Sequence, residues 1–156
     1  MSNSTVSSPV TDLQHRRFKI HTTIKTRLAD TITPVTLYLK LRDQFSNTVL
    51  LESVEQSAES NFTYIGLDPI ANFRVQNGEV DFTYPTGERL NIKLEKPTDV
   101  SHLIQHFVQQ FAVDAVKVNG AINGFFGHTA FDGVQYFDTL EFPSEKRKFD
   151  LPDINY

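Results

Sequence analysis

The sequence predicts an α+β fold: a largely antiparallel sheet with a hairpin meander, covered by a few helices. Two stretches carry this reading. Between residues 73 and 94, Phe73 and Val75, then Val80, Phe82 and Tyr84, then Leu90, Ile92 and Leu94 alternate with mostly polar neighbours, and Asn77-Gly78 and Pro85-Thr86-Gly87 separate the runs. This is the pattern of three antiparallel strands with one apolar face, and Asn-Gly supplies the positive φ of a tight hairpin turn. From Asp99 the period changes, because Val100, Leu103, Ile104, Phe107, Val108 and Phe111 recur at helical spacing behind Pro97-Thr98-Asp99. A helix therefore starts there and can lay its apolar stripe over the meander. With 156 residues, 39% of them hydrophobic, and a net charge of only −4, the chain has enough apolar material for one packed core and too little charge for disorder.

The remaining elements follow in chain order. Residues 1–16 are rich in Ser, Thr, Asn and Gln and cannot bury enough surface to offset ordering, so a disordered tail is expected, with the domain proper spanning 17–156. Phe18, Ile20, Thr22 and Ile24 alternate with Lys19, His21, Thr23 and Lys25, the period of a half-buried strand. Asp30 to Thr33 followed by Pro34 reads as a helix start, since proline at the first helical position lacks only a donor that would be orphaned anyway. Pro34, Leu37, Tyr38, Leu41 and Phe45 then share a helical face, while Val35, Leu37, Leu39 and Leu41 equally fit a strand. Val49–Val54 has few polar breaks and reads as a strand buried on both faces. Asn119-Gly120 and Asn123-Gly124 interrupt the chain before a strand expected over Phe125–Phe131, and Glu145-Lys146-Arg147-Lys148 is a solvated charge run. No internal repeat is visible.

Composition removes several function classes. With no cysteine, the chain has no disulfide, thiolate metal site or cysteine nucleophile. No apolar run is long enough to span a bilayer and the first residues lack the core of a signal peptide, so a soluble, cytoplasmic protein without membrane contact is expected. The acidic balance, with a pI near 5.7 and no basic stripe, argues against nucleic acid as a partner. Asn3-Ser4-Thr5 and Asn61-Phe62-Thr63 match a glycosylation sequon, a chance match in a chain without an export signal.

Four constellations invite a chemical reading. His102 and His106 have the spacing of two metal ligands on a helix, but a helical wheel puts them opposite the apolar stripe and no third ligand is suggested, so a solvated face is the better account. Gly120, Gly124 and Gly127 lack the Lys-Ser or Lys-Thr closure of a phosphate loop, and close packing of a strand explains them instead. Gly66-Leu67-Asp68-Pro69 reads as a turn in which glycine tolerates unusual backbone angles. Glu52 is the residue of most interest, because a carboxylate beside Leu50 and Leu51 in an otherwise apolar strand is costly unless something pairs with it.

Leu50-Leu51-Glu52-Ser53, then Tyr64-Ile65-Gly66-Leu67-Asp68-Pro69, then Gly124-Phe125-Phe126-Gly127 leading into Phe131-Asp132-Gly133-Val134-Gln135-Tyr136-Phe137-Asp138, in that order, resemble the amino-terminal domain of anthranilate synthase component I. The resemblance runs from about residue 24 to 156. It departs from many relatives at Asn61, where they carry a basic residue.

The resemblance implies a fragment of the larger anthranilate and aminodeoxychorismate synthase fold and a place in tryptophan biosynthesis. The full protein would convert chorismate to anthranilate with Mg2+ and with ammonia from a glutamine amidotransferase component II. It also implies that Leu50, Leu51, Glu52 and Ser53 line a feedback site for L-tryptophan, with Glu52 on the ammonium, Ser53 hydrogen-bonded to the ligand and the leucines near the indole. No catalytic residue of the family falls within this stretch, so the chain alone is expected to be inactive and to need no cofactor. Asp150–Tyr156 would then be the connection into a catalytic domain absent here, and the face that domain covers could drive self-association. Two other readings stay open: the first component of aminodeoxychorismate synthase, against which Glu before Ser53 argues, and a non-catalytic ligand-binding or interaction module.

Overall fold

The computed structural model describes residues 17–52, 62–114, 123–138 and 150–156. Their elements are nine short strands, two α-helices and a 3-10 helix over Phe131–Tyr136. The mixed architecture and antiparallel pairing agree with the predicted α+β class. The main sheet has five strands: β4 (Asn72–Gln76), β5 (Glu79–Thr83), β6 (Arg89–Lys93), β8 (His128–Thr129) and β9 (Ile154–Asn155), in the order β6-β5-β4-β9-β8 and antiparallel throughout. Its first half is the predicted meander. Asn77 and Gly78, at φ 53° and 76°, form the tight turn, and Gly87, at φ 82°, the second.

The core forms where α2 (Asp99–Gln109) crosses this sheet. Phe73, Val75, Val80, Phe82 and Ile154 from the strands, Tyr84 just past β5, Val100 and Phe107 from the helix, and Tyr136 are all buried. Phe107 is the hub: its ring lies 5.8 Å from that of Phe73, 5.6 Å from Phe82, 5.4 Å from Tyr84, 5.2 Å from Phe111 and 5.7 Å from Phe125. Asp99 holds the start of the helix by accepting from the Lys96 amide at 3.0 Å, which satisfies a donor just ahead of the first turn. Val108, assigned above to the apolar stripe, is instead exposed, because the sheet contacts a narrower arc of the helix.

At the far end of the core, β1 (Phe18–Ile20) pairs in parallel with β7 (Phe111–Val113). The alternation predicted a strand through Ile24, but the ladder ends at Ile20, and Ile24 is exposed. Arg17 stacks over the rings of Phe18 and Tyr84 and forms an ion pair with Glu88, tying the start of β1 to the second turn of the meander. Burial raises the Tyr84 phenol above its ordinary 10.0, the Arg17 cation opposes this and the Glu88 carboxylate adds to it. A phenol whose folded value is raised stays neutral while the unfolded chain has begun to ionise, so its contribution is intact below pH 10.0 and lost above it. Between about pH 9 and 11.5 the melting temperature should fall more steeply for the native chain than for Tyr84→Phe, as followed by circular dichroism.

The second α-helix, α1 (Pro34–Leu41), forms as the Thr33-Pro34 start signal predicted, and the competing strand reading is not realised. The Thr33 hydroxyl accepts from the Thr36 amide at 3.2 Å, and Pro34 occupies the first turn. No residue of this helix is buried, and Val35, Leu37 and Leu39 are exposed.

Two further segments differ from expectation. Phe125–Phe131 is not a strand: only His128–Thr129 pairs, and a 3-10 helix begins at Phe131, whose ring is 86% exposed. The carboxyl-terminal residues, read above as a connector, form β9 between β4 and β8. Ile154 is wholly buried, and the buried Asp153 carboxylate accepts from the Tyr136 hydroxyl at 2.7 Å. The expected tail over residues 1–16 and the charge run at Glu145–Lys148 lie outside the described residues.

Candidate functional site

The predicted site residues fall on a two-stranded ribbon separate from the main sheet. β2 (Val49–Glu52) runs antiparallel to β3 (Thr63–Gly66), with Glu52 opposite Thr63, Leu51 opposite Tyr64, Leu50 opposite Ile65 and Val49 opposite Gly66. Because side chains alternate along a strand, the ribbon has two distinct faces. One carries Glu52 with Thr63 and Leu50 with Ile65. The other carries Leu51 with Tyr64 and Val49 with Gly66, and there the Tyr64 ring meets Phe126 at 5.4 Å and Phe62 at 6.4 Å. The structure thus brings Leu50 and Glu52 together and sets Leu51 against the opposite, aromatic side. Ser53 lies outside the described residues.

The burial of this ribbon corrects the expectation of a strand covered on both faces. Val49, Leu50 and Leu51 are only partly buried and Glu52 is exposed, because each strand has a single neighbour and no described layer covers both sides. Glu52 is therefore exposed among the described residues, and no cost of burying a carboxylate among leucines arises there. What the first face offers is a carboxylate beside the Thr63 hydroxyl, followed one step along by the aliphatic pair of Leu50 and Ile65. That order suits a small amphipathic cation: a charged end against Glu52 and an apolar body along the strand. Thr63 and Ile65 were not singled out from the sequence, since only the cross-strand register reveals them.

Gly66 also has a different origin from the one predicted. Its φ is not in the left-handed region; a Cβ there would lie 2.7 Å from the Val49 Cγ1 of the opposite strand. Close approach excludes a side chain, and the left-handed residue of the turn is Asp68, at φ 47°. Among the other glycines, Gly127 is tightly packed against the backbone of β9, whereas Gly124 has nothing within 4 Å, so close packing explains only the first; Gly120 lies outside the described residues.

His102 is exposed, and His106 is partly buried with its Nε2 3.4 Å from the Gln110 amide nitrogen. Among the described residues no group of three or more histidine, aspartate or glutamate side chains could hold a metal ion. An open cleft of about 340 Å3 lies on the outer face of the β4–β5 hairpin, lined by Arg74, Gln76, Asn77, Glu79 and Asp81, and none of the predicted site residues borders it. Its groups are largely engaged with one another: Arg74 donates to Gln76, Gln76 to Asp150, and Asn91 to Asp81 and Glu79. Among the described residues no helix is long and apolar enough to cross a membrane.

Comparison with known proteins adds the family context. The chain is 34% identical over 131 residues to anthranilate synthase component 1 of Thermus thermophilus, an alignment covering 83% of this chain and 26% of that protein. It is 30% identical over 137 residues to anthranilate synthase component 1 of Acinetobacter calcoaceticus, covering 82% and 26% respectively. The chain thus spans about a quarter of the length of these relatives. No family model matches it, and no solved structure matches it significantly.

Proposed function

Because the chain belongs to the anthranilate synthase component 1 family and corresponds to the amino-terminal quarter of its members, we propose that it serves as the regulatory amino-terminal domain of such an enzyme. Such an enzyme would act in tryptophan biosynthesis, forming anthranilate from chorismate with ammonia delivered by a component II amidotransferase. The single observation behind this reading is the pair of alignments, each covering more than four-fifths of the chain. For magnesium, which the family resemblance implies for a complete enzyme, the described residues offer no group of three or more carboxylate or histidine side chains.

Within that role, the face of the β2–β3 ribbon that carries Glu52, Thr63, Leu50 and Ile65 forms one wall of an L-tryptophan effector site. Glu52 pairs with the ligand ammonium, Ser53 hydrogen-bonds the ligand, and Leu50, with Ile65 beside it, lies along the indole. Leu51, on the opposite face, acts indirectly by packing beside Tyr64, whose ring seats the ribbon against Phe126. Regulation then needs only that tryptophan bind more tightly to a conformation unfit for chorismate; a coupling of about 1–3 kcal/mol between the two sites is enough.

The site is tested by amide chemical shifts of the isotopically labelled chain during titration with L-tryptophan. Shifts concentrated at Leu50, Glu52 and Thr63, and lost in Glu52→Ala, are expected. A response confined to other elements, or one unchanged in Glu52→Ala, would remove the assignment.

A further inference from the structure

The strand β6 forms one edge of the main sheet, and its backbone is half used. The Tyr84 amide donates to the Glu88 carbonyl and the Leu94 amide to the Gly78 carbonyl, both at 2.9 Å, and Leu90 and Ile92 face Phe82 and Val80 in the same ladder. In an antiparallel pair, directly opposed residues alternate between those that exchange hydrogen bonds and those that do not. The even-numbered residues therefore bond to β5, and the N–H and C=O groups of Arg89, Asn91 and Lys93 point outward along the free edge, where no described strand meets them.

The side chains repeat this asymmetry. Leu90 and Ile92 lie on the core side, directly opposite Phe82 and Val80, yet they are 44% and 39% exposed where their partners are 2% and 0%. The apolar core surface thus runs on past β5 and stops uncovered at β6. On the outer side stand Arg89, Asn91 and Lys93. Asn91 is held by Asp81 and Glu79, while neither cation makes an ion pair among the described residues. Glu79 stands opposite Lys93 in the ladder but is engaged by Asn91. An edge whose outward backbone groups meet no described strand, with an apolar underside and two cations four residues apart that form no ion pair among the described residues, has a definite complement.

We propose that the β6 edge is a docking site for an extended strand lying antiparallel to it, with apolar residues beside Leu90 and Ile92 and acidic residues opposite Arg89 and Lys93. Such a strand would use the three outward-facing residues of β6, extend the apolar layer and neutralise both cations. A second copy of this chain is the wrong occupant, because full-length antiparallel pairing of two β6 strands sets Arg89 of each copy against Lys93 of the other. Like charges directly opposed destabilise a strand pair.

The test uses the 156-residue chain and two fluorescein-labelled synthetic peptides, one centred on Glu-Val-Thr-Val-Glu and one on Lys-Val-Thr-Val-Lys, titrated by fluorescence anisotropy at low salt. The acidic peptide should bind about tenfold more tightly than the basic one. The preference should reverse in the doubly charge-reversed variant Arg89→Glu with Lys93→Glu. With the acidic peptide bound, amide exchange should slow at Arg89, Asn91 and Lys93. Asn91→Pro should weaken binding, since it removes a donor that points away from β5; thermal unfolding checks that each variant remains folded. Equal binding of the two peptides, or none, would overturn the proposal and leave the cations as simple guards of the edge. So would protection of the same three amides that rises with protein concentration alone, which would make a second copy the occupant.

Discussion

Replacing Phe107 with alanine is expected to destabilise the domain by about 3–5 kcal/mol, the cost of emptying a fully buried aromatic position. The physical reason is the number of partners one ring serves. Phe107 is completely buried and lies within 6 Å of the ring centroids of Phe73, Phe82, Tyr84, Phe111 and Phe125, so it joins α2 to β4, β5, β7 and the segment before β8. Phe73, Phe82 and Phe111 sit on paired strands and cannot collapse into the void without leaving their ladders. Against a typical stability of about 5–15 kcal/mol, that loss consumes a large fraction of the total. Urea unfolding monitored by far-ultraviolet circular dichroism should show the midpoint drop, with a melting temperature lower by roughly 10 °C or more. A loss below about 1 kcal/mol would mean that α2 does not close the core in the way described.

The second large effect is expected at Gly127. A Cβ on this residue would sit 1.9 Å from the Asn155 carbonyl oxygen and 2.9 Å from both the Asn155 carbonyl carbon and the Tyr156 Cα. All three are backbone atoms of β9 and its continuation, so no rotamer change relieves the clash. Gly127→Ala must push the chain entering β8 away from β9. That loosens the strand on which buried Ile154 and the Asp153–Tyr136 hydrogen bond depend. A loss of about 3 kcal/mol or more is anticipated, and Gly124→Ala, where nothing lies within 4 Å, should change stability by less than about 1 kcal/mol. Comparable behaviour of the two variants would contradict the packing at β9.

How much of this was legible in the sequence depended on whether the determining contacts were local. The meander was legible because Phe73 to Leu94 repeats its alternation over three strands, and Asn77-Gly78 states its turn chemistry outright. Helix α2 was legible from its period, and α1 from Thr33 and Pro34 at its start. In contrast, β9 is too short to display any alternation, Pro152 argues against a strand, and its place in the sheet is set by pairing with β4, far away in the chain. The Phe125–Phe131 stretch misled for a related reason: its phenylalanines suggest a strand, but Phe131 serves no core and the chain turns into a 3-10 helix instead. At the candidate site, the strand Leu50-Leu51-Glu52 could be read directly. Which of its side chains share a face with Thr63 and Ile65 could not, because that follows from the register of β3. The burial assumed for Glu52 failed because a two-stranded ribbon cannot cover both of its own faces.

As proposed above, the β2–β3 ribbon supplies one wall of an effector site whose other wall lies outside these residues. Burying an indole of roughly 200 Å2 completely contributes about 5 kcal/mol. Association itself costs at least about 4 kcal/mol, before any polar desolvation. With a single wall, little of the apolar surface is covered and the surplus disappears. Isothermal titration calorimetry of L-tryptophan into the 156-residue chain should therefore give a dissociation constant weaker than about 1 mM. A micromolar constant would contradict the account, since it would require a closed pocket contained wholly within this chain.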